Sequence, residues 1–167
     1  MQNNVTPFSP PPAVPPRGAC EVLAISLGAE EYALDILAVR EIRSYGGVTP
    51  IAGAPPHVKG VINLRGAIVP VVDLRLKFGV GAAEYTPFTL TVIVEVSGRS
   101  AGLVVDAVSD VLSFPAGALL PAPEVAAAFD KSSILGLAAL EERMLVMLDV
   151  ARLMTSPEMG LVDKQAA

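Results

Sequence analysis

Hydrophobic positions in this chain fall in short runs rather than in helical stripes. From residue 21 to residue 148 the period is two or the run is continuously apolar, with Gly, Pro, Asn or Asp breaking it every few positions. That pattern predicts β-strands. Ten are read, over residues 21–27, 31–34, 39–43, 60–64, 67–72, 90–96, 100–105, 108–114, 134–140 and 144–148. Short helical turns are expected at 55–58, 73–78 and 149–154, and at 36–40 the helix and strand patterns overlap. Many short strands punctuated in this way predict an all-β barrel or sandwich architecture.

The strand pattern repeats. Residues 32–42 lie over 101–111 at an offset of 69, so that Ala38-Val39 meets Ala107-Val108, Glu41 meets Asp110 and Ile42 meets Val111. Residues 60–74 lie over 136–150 at an offset of 76, where Gly60 meets Gly136, Leu64 meets Leu140 and Asp73 meets Asp149. Two collinear matches in the same order predict a duplicated unit of about five strands. The expected product is two similar small barrels, with repeat units of roughly 20–80 and 88–154 and with strand exchange between them allowed at the margins.

Both aspartates follow an apolar strand and precede an amphipathic segment, which is the place of a helix N-cap. The halves diverge at the tip of the hairpin between them and the preceding run: Leu64-Arg65-Gly66 in the first, Leu140-Glu141-Glu142-Arg143 in the second. From the residues alone Arg65 is either an ordinary turn residue or a contact for a partner. Pro70 donates no amide, so its strand is expected at an edge or bulged there.

Composition narrows the function class. The residues are 52% hydrophobic, yet no apolar run reaches the length of a membrane-spanning helix. The first residues lack the basic and apolar regions of a signal peptide. Residues 1–19, with six prolines in the first sixteen, are expected to form an extended tail, and 157–167 a second one. A single cysteine, Cys20, makes no internal disulfide and suits a reducing compartment. Net charge −5, scattered basic residues and few aromatics argue against nucleic-acid binding.

Catalytic equipment is not legible. His57, the one histidine, is read as a solvated residue at a turn beside Pro55-Pro56. One His and one Cys do not make a zinc site of the usual kind. No Walker-type phosphate loop occurs, and residues 79–84 (GVGAAE) depart from a dinucleotide fingerprint at the last glycine. Asp106 and Asp110 would lie on one face of a strand about 13 Å apart, and are read as surface charge.

Taken together, residues 39–42 (VREI), 60–66 (GVINLRG), 68–74 (IVPVVDL), 102–106 (GLVVD) and 108–112 (VSDVL) resemble the CheW-like domain family of bacterial chemotaxis coupling proteins. The likeness also takes in 119–124 (LLPAPE), 136–140 (GLAAL) and 156–159 (SPEM), and so runs from about Cys20 to the C-terminus, with the domain itself at 20–156. It implies an all-β fold of two SH3-like five-stranded barrel subdomains with a few short helices, internally duplicated. It implies no enzymatic activity and no cofactor. The family is a scaffold joining chemoreceptor (methyl-accepting chemotaxis protein) tips to the histidine kinase CheA, whose regulatory domain shares the fold. By the same carry-over the receptor helix would lie in the groove between the barrels, against Val39, Glu41, Ile42, Arg65, Val105 and Val108. From residue type alone, Val39, Val105 and Val108 fit barrel core as well as groove. Kinase contacts would fall on Leu120, Glu124 and Val125, although members often carry Arg and an aromatic where Leu120 and Val125 stand. The location implied is cytoplasmic, at membrane receptor arrays, without membrane insertion. Alternatives are a regulatory module detached from a CheA-type kinase and a member serving a non-motility pathway.

Overall fold

The structure is a computed structural model and describes residues 19–80, 84–115, 119–120, 134–140 and 142–155. Of the segments read as tails, only Ala19 falls within this range, and it opens the first strand. The strands are β1 (Ala19–Leu27), β2 (Glu30–Asp35), β3 (Val39–Ser44), β4 (Val58–Leu64), β5 (Ala67–Asp73), β6 (Leu90–Val96), β7 (Arg99–Val105), β8 (Ala107–Pro115), β9 (Leu119–Leu120), β10 (Ile134–Leu140) and β11 (Arg143–Leu148). Helices α1 (Leu74–Phe78) and α2 (Val150–Thr155) follow β5 and β11. All ten predicted strands are present, and β9 is added. The ambiguous stretch resolves into a 3-10 turn, Ile36–Ala38, capped by Asp35 and followed by β3. Around Pro55 there is a hydrogen-bonded turn, Val58 N–H to the Pro55 carbonyl at 3.0 Å, and no helix.

Two sheets result, ordered β9-β10-β11-β2-β1-β8 and β3-β6-β7-β5-β4. Each draws on both halves of the sequence. The β1–β2 hairpin joins strands of the second half, and the β6–β7 hairpin joins strands of the first. The exchange therefore moves a whole hairpin in each direction. The pairing is duplicated residue for residue: Glu21 faces Ser113 as Leu90 faces Ser44, and Met147 faces Ala33 in parallel register as Val71 faces Gly102. The bulge at Val39/Glu41 on β3 recurs at Val108/Asp110 on β8.

Each sheet is closed by the chain that continues from its edge strand. Thr49, beyond β3, exchanges hydrogen bonds of 2.8 and 2.9 Å with Val61 on β4. In the other sheet β9, beyond β8, pairs with β10 through Leu120 and Leu137. Gly60 and Gly136 lie under these crossings. A Cβ at Gly60 would stand 2.0 Å from the Thr49 carbonyl oxygen, and one at Gly136 2.3 Å from that of Leu120. Only glycine admits so close a backbone approach.

The strands read as continuous apolar runs because both faces are buried. One face of the first sheet packs Val22, Ala24, Ala33, Ala138, Leu145 and Met147 inside its own unit. Ile62, Val69, Val71, Ile93 and Val104 do the same in the second. The opposite faces meet in a shared core that includes Leu23, Ile25 and Leu34 from one sheet and Val92, Val94 and Leu103 from the other. Tyr32 of the first sheet stacks on Phe78 of α1, with ring centroids 5.7 Å apart. Each unit thus has a small apolar cluster of its own, and the largest cluster is shared between the two.

Two further expectations change. Pro70 is not on an edge strand: β5 lies between β7 and β4, but its pairing with β7 begins only at Val71, so the missing amide leaves no ladder bond unmade. Asp106 is not within a strand, since it occupies the one-residue break between β7 and β8. The capping expectation holds. The Asp73 carboxylate accepts the Arg75 amide at 2.9 Å, and that of Asp149 accepts the Arg152 amide at 3.1 Å.

Candidate functional site

The β4–β5 hairpin turns through two residues, Arg65 and Gly66, between the pair Leu64 and Ala67. Both have positive φ, 52° and 88°, as the tight turn that matches strand twist requires. Asn63 braces the turn by accepting the Gly66 amide at 2.9 Å. Asn or Gly is the usual choice where Arg65 stands, and a bulky residue in the left-handed region costs about 1–2 kcal/mol. A side chain kept at such a position points to a demand beyond the turn.

Arg65 is 71% exposed and donates from Nη2 to Glu41 Oε1 at 2.6 Å. The β3 bulge makes Arg40 the extra residue and aims Glu41 at the tip. Arg43 approaches the other Glu41 oxygen at 3.6 Å. Among the described residues Glu41 is the one carboxylate on Arg65, so most of the guanidinium's five N–H donors face solvent.

The opposite face of β3 carries an apolar stripe. Val39 and Ile42 stand opposite Val94 and Val92, on the face turned toward the shared core. Val39 is half-buried against that core, and Ile42 is 42% exposed. The stripe thus leads from the interior to the surface. The other sheet repeats it: Val108 and Val111 stand opposite Ile25 and Leu23, with Val108 half-buried and Val111 56% exposed. Val111 was not among the site residues read from the sequence, although the repeat places it over Ile42.

The six receptor-site positions therefore separate. Glu41 and Arg65 are in contact, Ile42 is exposed on the opposite face of β3, and Val39 and Val108 border the shared core. Val105 has no exposed surface and is a core residue, not a groove one. Of the kinase-site positions Leu120 is exposed on β9, whereas Glu124 and Val125 lie outside the described residues.

Ion pairs account for charges read as free surface. Arg143, at the start of β11, forks onto Glu31 at 3.0 and 2.9 Å and reaches Asp110 at 3.2 Å. The hydrogen bonds that Arg143 donates to these two carboxylates push its pKa up. Arg75 is fully buried and donates to Asp73 at 3.0 and 2.8 Å and to Asp106 at 2.6 Å. Tyr85 donates its hydroxyl to Asp73 at 2.5 Å and lays its ring on the Arg75 guanidinium. Burial raises the Asp73 pKa, but the bonds from Arg75 and Tyr85 and the adjacent positive charge outweigh it and leave the carboxyl below its ordinary value. Burial and the bond to Asp73 hold the Tyr85 phenol above its own. His57 is half-buried rather than solvated, and its carbonyl accepts the Asp73 amide at 2.7 Å.

Sequence reading missed Arg75 because its cover is the segment joining the two repeats, including the Glu84 carbonyl at 2.9 Å and Tyr85. No periodicity announces that packing. Among the described residues no group of His, Cys, Asp and Glu could hold a metal ion, and no helix is long and apolar enough to cross a membrane. What the surface offers is an apolar stripe on one face of β3 and, on the other, an exposed forked cation held by Glu41.

Comparison with known proteins identifies the family and the fold. The family model described as CheW-like domain matches residues 21–158. The chain is 49% identical over 146 residues to the chemotaxis protein CheW of Klebsiella aerogenes, covering 87% of this chain and 88% of that one. It is 40% identical over 142 residues to the chemotaxis protein CheW of Rhizobium meliloti, covering 85% and 92%. The crystal structure of the scaffolding protein TtCheW from Thermoanaerobacter tengcongensis superposes with a TM-score of 0.76 at 33% identity, over 83% of this chain and 94% of that one.

Proposed function

The chain belongs to the CheW-like domain family, and we propose that it acts as a non-enzymatic scaffold coupling chemoreceptor helical tips to the regulatory domain of the histidine kinase CheA. Its place in this reading is the cytoplasmic side of a membrane receptor array. Arg65 is the observation that carries it: an arginine held in a glycine-favouring turn, exposed, with one carboxylate at 2.6 Å and donors to spare. A receptor helix laid along Val39 and Ile42 would present carboxylate or carbonyl oxygens to those donors, and the forked geometry would set its register. Val108 and Val111 offer the same helix, across the groove between the two units, a second apolar wall. The Leu120 region, continuing through Glu124 and Val125, is left for the kinase.

The test is a calorimetric titration of the full chain with a soluble receptor-tip helical hairpin and, separately, with the regulatory domain of CheA. Both should bind, and the chain alone should hydrolyse no nucleotide. Ile42→Asp should weaken tip binding at least about tenfold while leaving kinase binding and the melting curve unchanged. Val39→Asp is the poorer probe, because Val39 packs on the shared core and its loss would unsettle the fold. Wild-type tip affinity in both Ile42→Asp and Arg65→Ala would overturn the assigned site.

A further inference from the structure

Asp73 and Arg75 are the two charged residues fully buried among the described residues, and the proposed docking surface uses neither. Arg75 reaches out of its own sheet's helix to the crossing between β7 and β8. Its Nη1 meets Asp106 Oδ1 at 2.6 Å, while Asp106 Oδ2 accepts the Gly28 amide, also at 2.6 Å. The Asp106 amide in turn donates to the Ser26 carbonyl at 3.0 Å. Ser26 lies near the end of β1 and Gly28 in the β1–β2 turn, both in the other sheet. One carboxylate is thus riveted to both units, at the residue that separates Val105 from the Val108–Val111 stripe.

The duplication supplies an internal control. Ala151 stands where Arg75 does, and Leu37 where Asp106 does. The second half nonetheless forms the same capped helix through Asp149. The fold unit does not need this triad, and a buried guanidinium is no better a stabiliser than apolar packing of the same volume. Its retention on one side alone calls for a role in specificity.

We infer that Arg75 is a positioning residue for the docking surface: by holding Asp106 it fixes the β7–β8 crossing, and with it the Val108–Val111 stripe, against the β1–β2 turn. This rests on the receptor-docking reading above. The cleft between the two units then has a set width, and the receptor helix meets walls already in place.

The experiment uses the full chain and the soluble receptor-tip hairpin. Asp106→Ala breaks the rivet while leaving Arg75 paired with Asp73 and the Glu84 carbonyl. Arg75→Lys keeps a cation beside Asp73 but cannot fork across both carboxylates. Each should bind the tip about fivefold or more weakly than wild type, with a cooperative melt. Hydrogen exchange at the Gly28 amide should speed up, and Asp106→Asn, whose oxygen still accepts, should recover most of both losses. Arg65→Ala serves as the control for the surface itself. If Arg65→Ala weakens binding while Asp106→Ala and Arg75→Lys bind as wild type, the positioning role is overturned and the docking surface stands. If Arg65→Ala also binds as wild type, the surface and the inference fall together. Should Asp106→Ala not fold, Arg75→Lys decides between these outcomes by the same criterion.

Discussion

At the β10–β11 tip Arg143 is two-thirds buried and satisfied by Glu31 and Asp110; at the β4–β5 tip Arg65 is mostly exposed and meets Glu41 alone. Glu41 and Asp110 occupy the same place in the repeat, each turned to the tip by the same bulge. The difference lies in two positions. Ser100 stands where Glu31 does, so the first tip lacks a second carboxylate. Arg143 begins its strand, whereas Arg65 is in the turn, two places earlier in the repeat and farther from the sheet. One arginine therefore closes a unit internally, and the other leaves most of its donors facing solvent. The duplicated scaffold holds one tip arginine in a closed ion-pair network and leaves exposed the other, which we propose to be a binding group.

The comparison breaks first if the two halves are not built alike. Gly60→Ala and Gly136→Ala each drive a methyl group into the carbonyl of the closing segment, and each should cost about 3 kcal/mol or more in urea unfolding. A severe effect at one glycine and none at the other would end the equivalence of the closures. The two capping aspartates should then separate. Asp73→Ala strips a buried guanidinium of its main partner and should cost about 3–5 kcal/mol. Asp149→Ala removes only a cap and should cost about 0.5–2 kcal/mol. Because the folded Asp73 pKa is depressed, its contribution is complete above the unfolded value of about 4 and is lost as pH falls through the folded one. Melting temperature followed from about pH 6 to pH 2 should show that acid limb in the wild type and a flatter one in Asp73→Asn.

The smallest stability effects belong to the tips. Arg143→Ala should cost about 1 kcal/mol, since its pairs are partly screened by solvent. Arg65→Asn should be neutral or slightly stabilising, because Asn-Gly suits this turn and the lost surface pair is worth less than about 1 kcal/mol.

Strands and their boundaries were legible because burial of both faces leaves continuous apolar runs, and the repeat was legible because its register is duplicated without insertion within each matched segment. The exchange of hairpins was not. Leu23 and Leu27 would serve the shared core whichever half β1 paired with, so local pattern does not choose the partner. Arg65 stood out as an arginine in a two-residue turn. Its Glu41 partner, by contrast, required knowledge of how the sheet closes. Arg143 finds Glu31 across 112 residues, and Arg75 is covered by the segment that joins the repeats, which leaves no periodic trace. Val105 could be assigned to core or groove by residue type, and packing decided for core.

The most direct measurement is the affinity of the Arg65→Asn chain for the soluble receptor-tip hairpin, taken beside its unfolding curve. A protein as stable as wild type that binds the tip at least about tenfold more weakly is the expected result. Equal affinity in an equally stable protein would contradict the claim that the exposed arginine serves a partner.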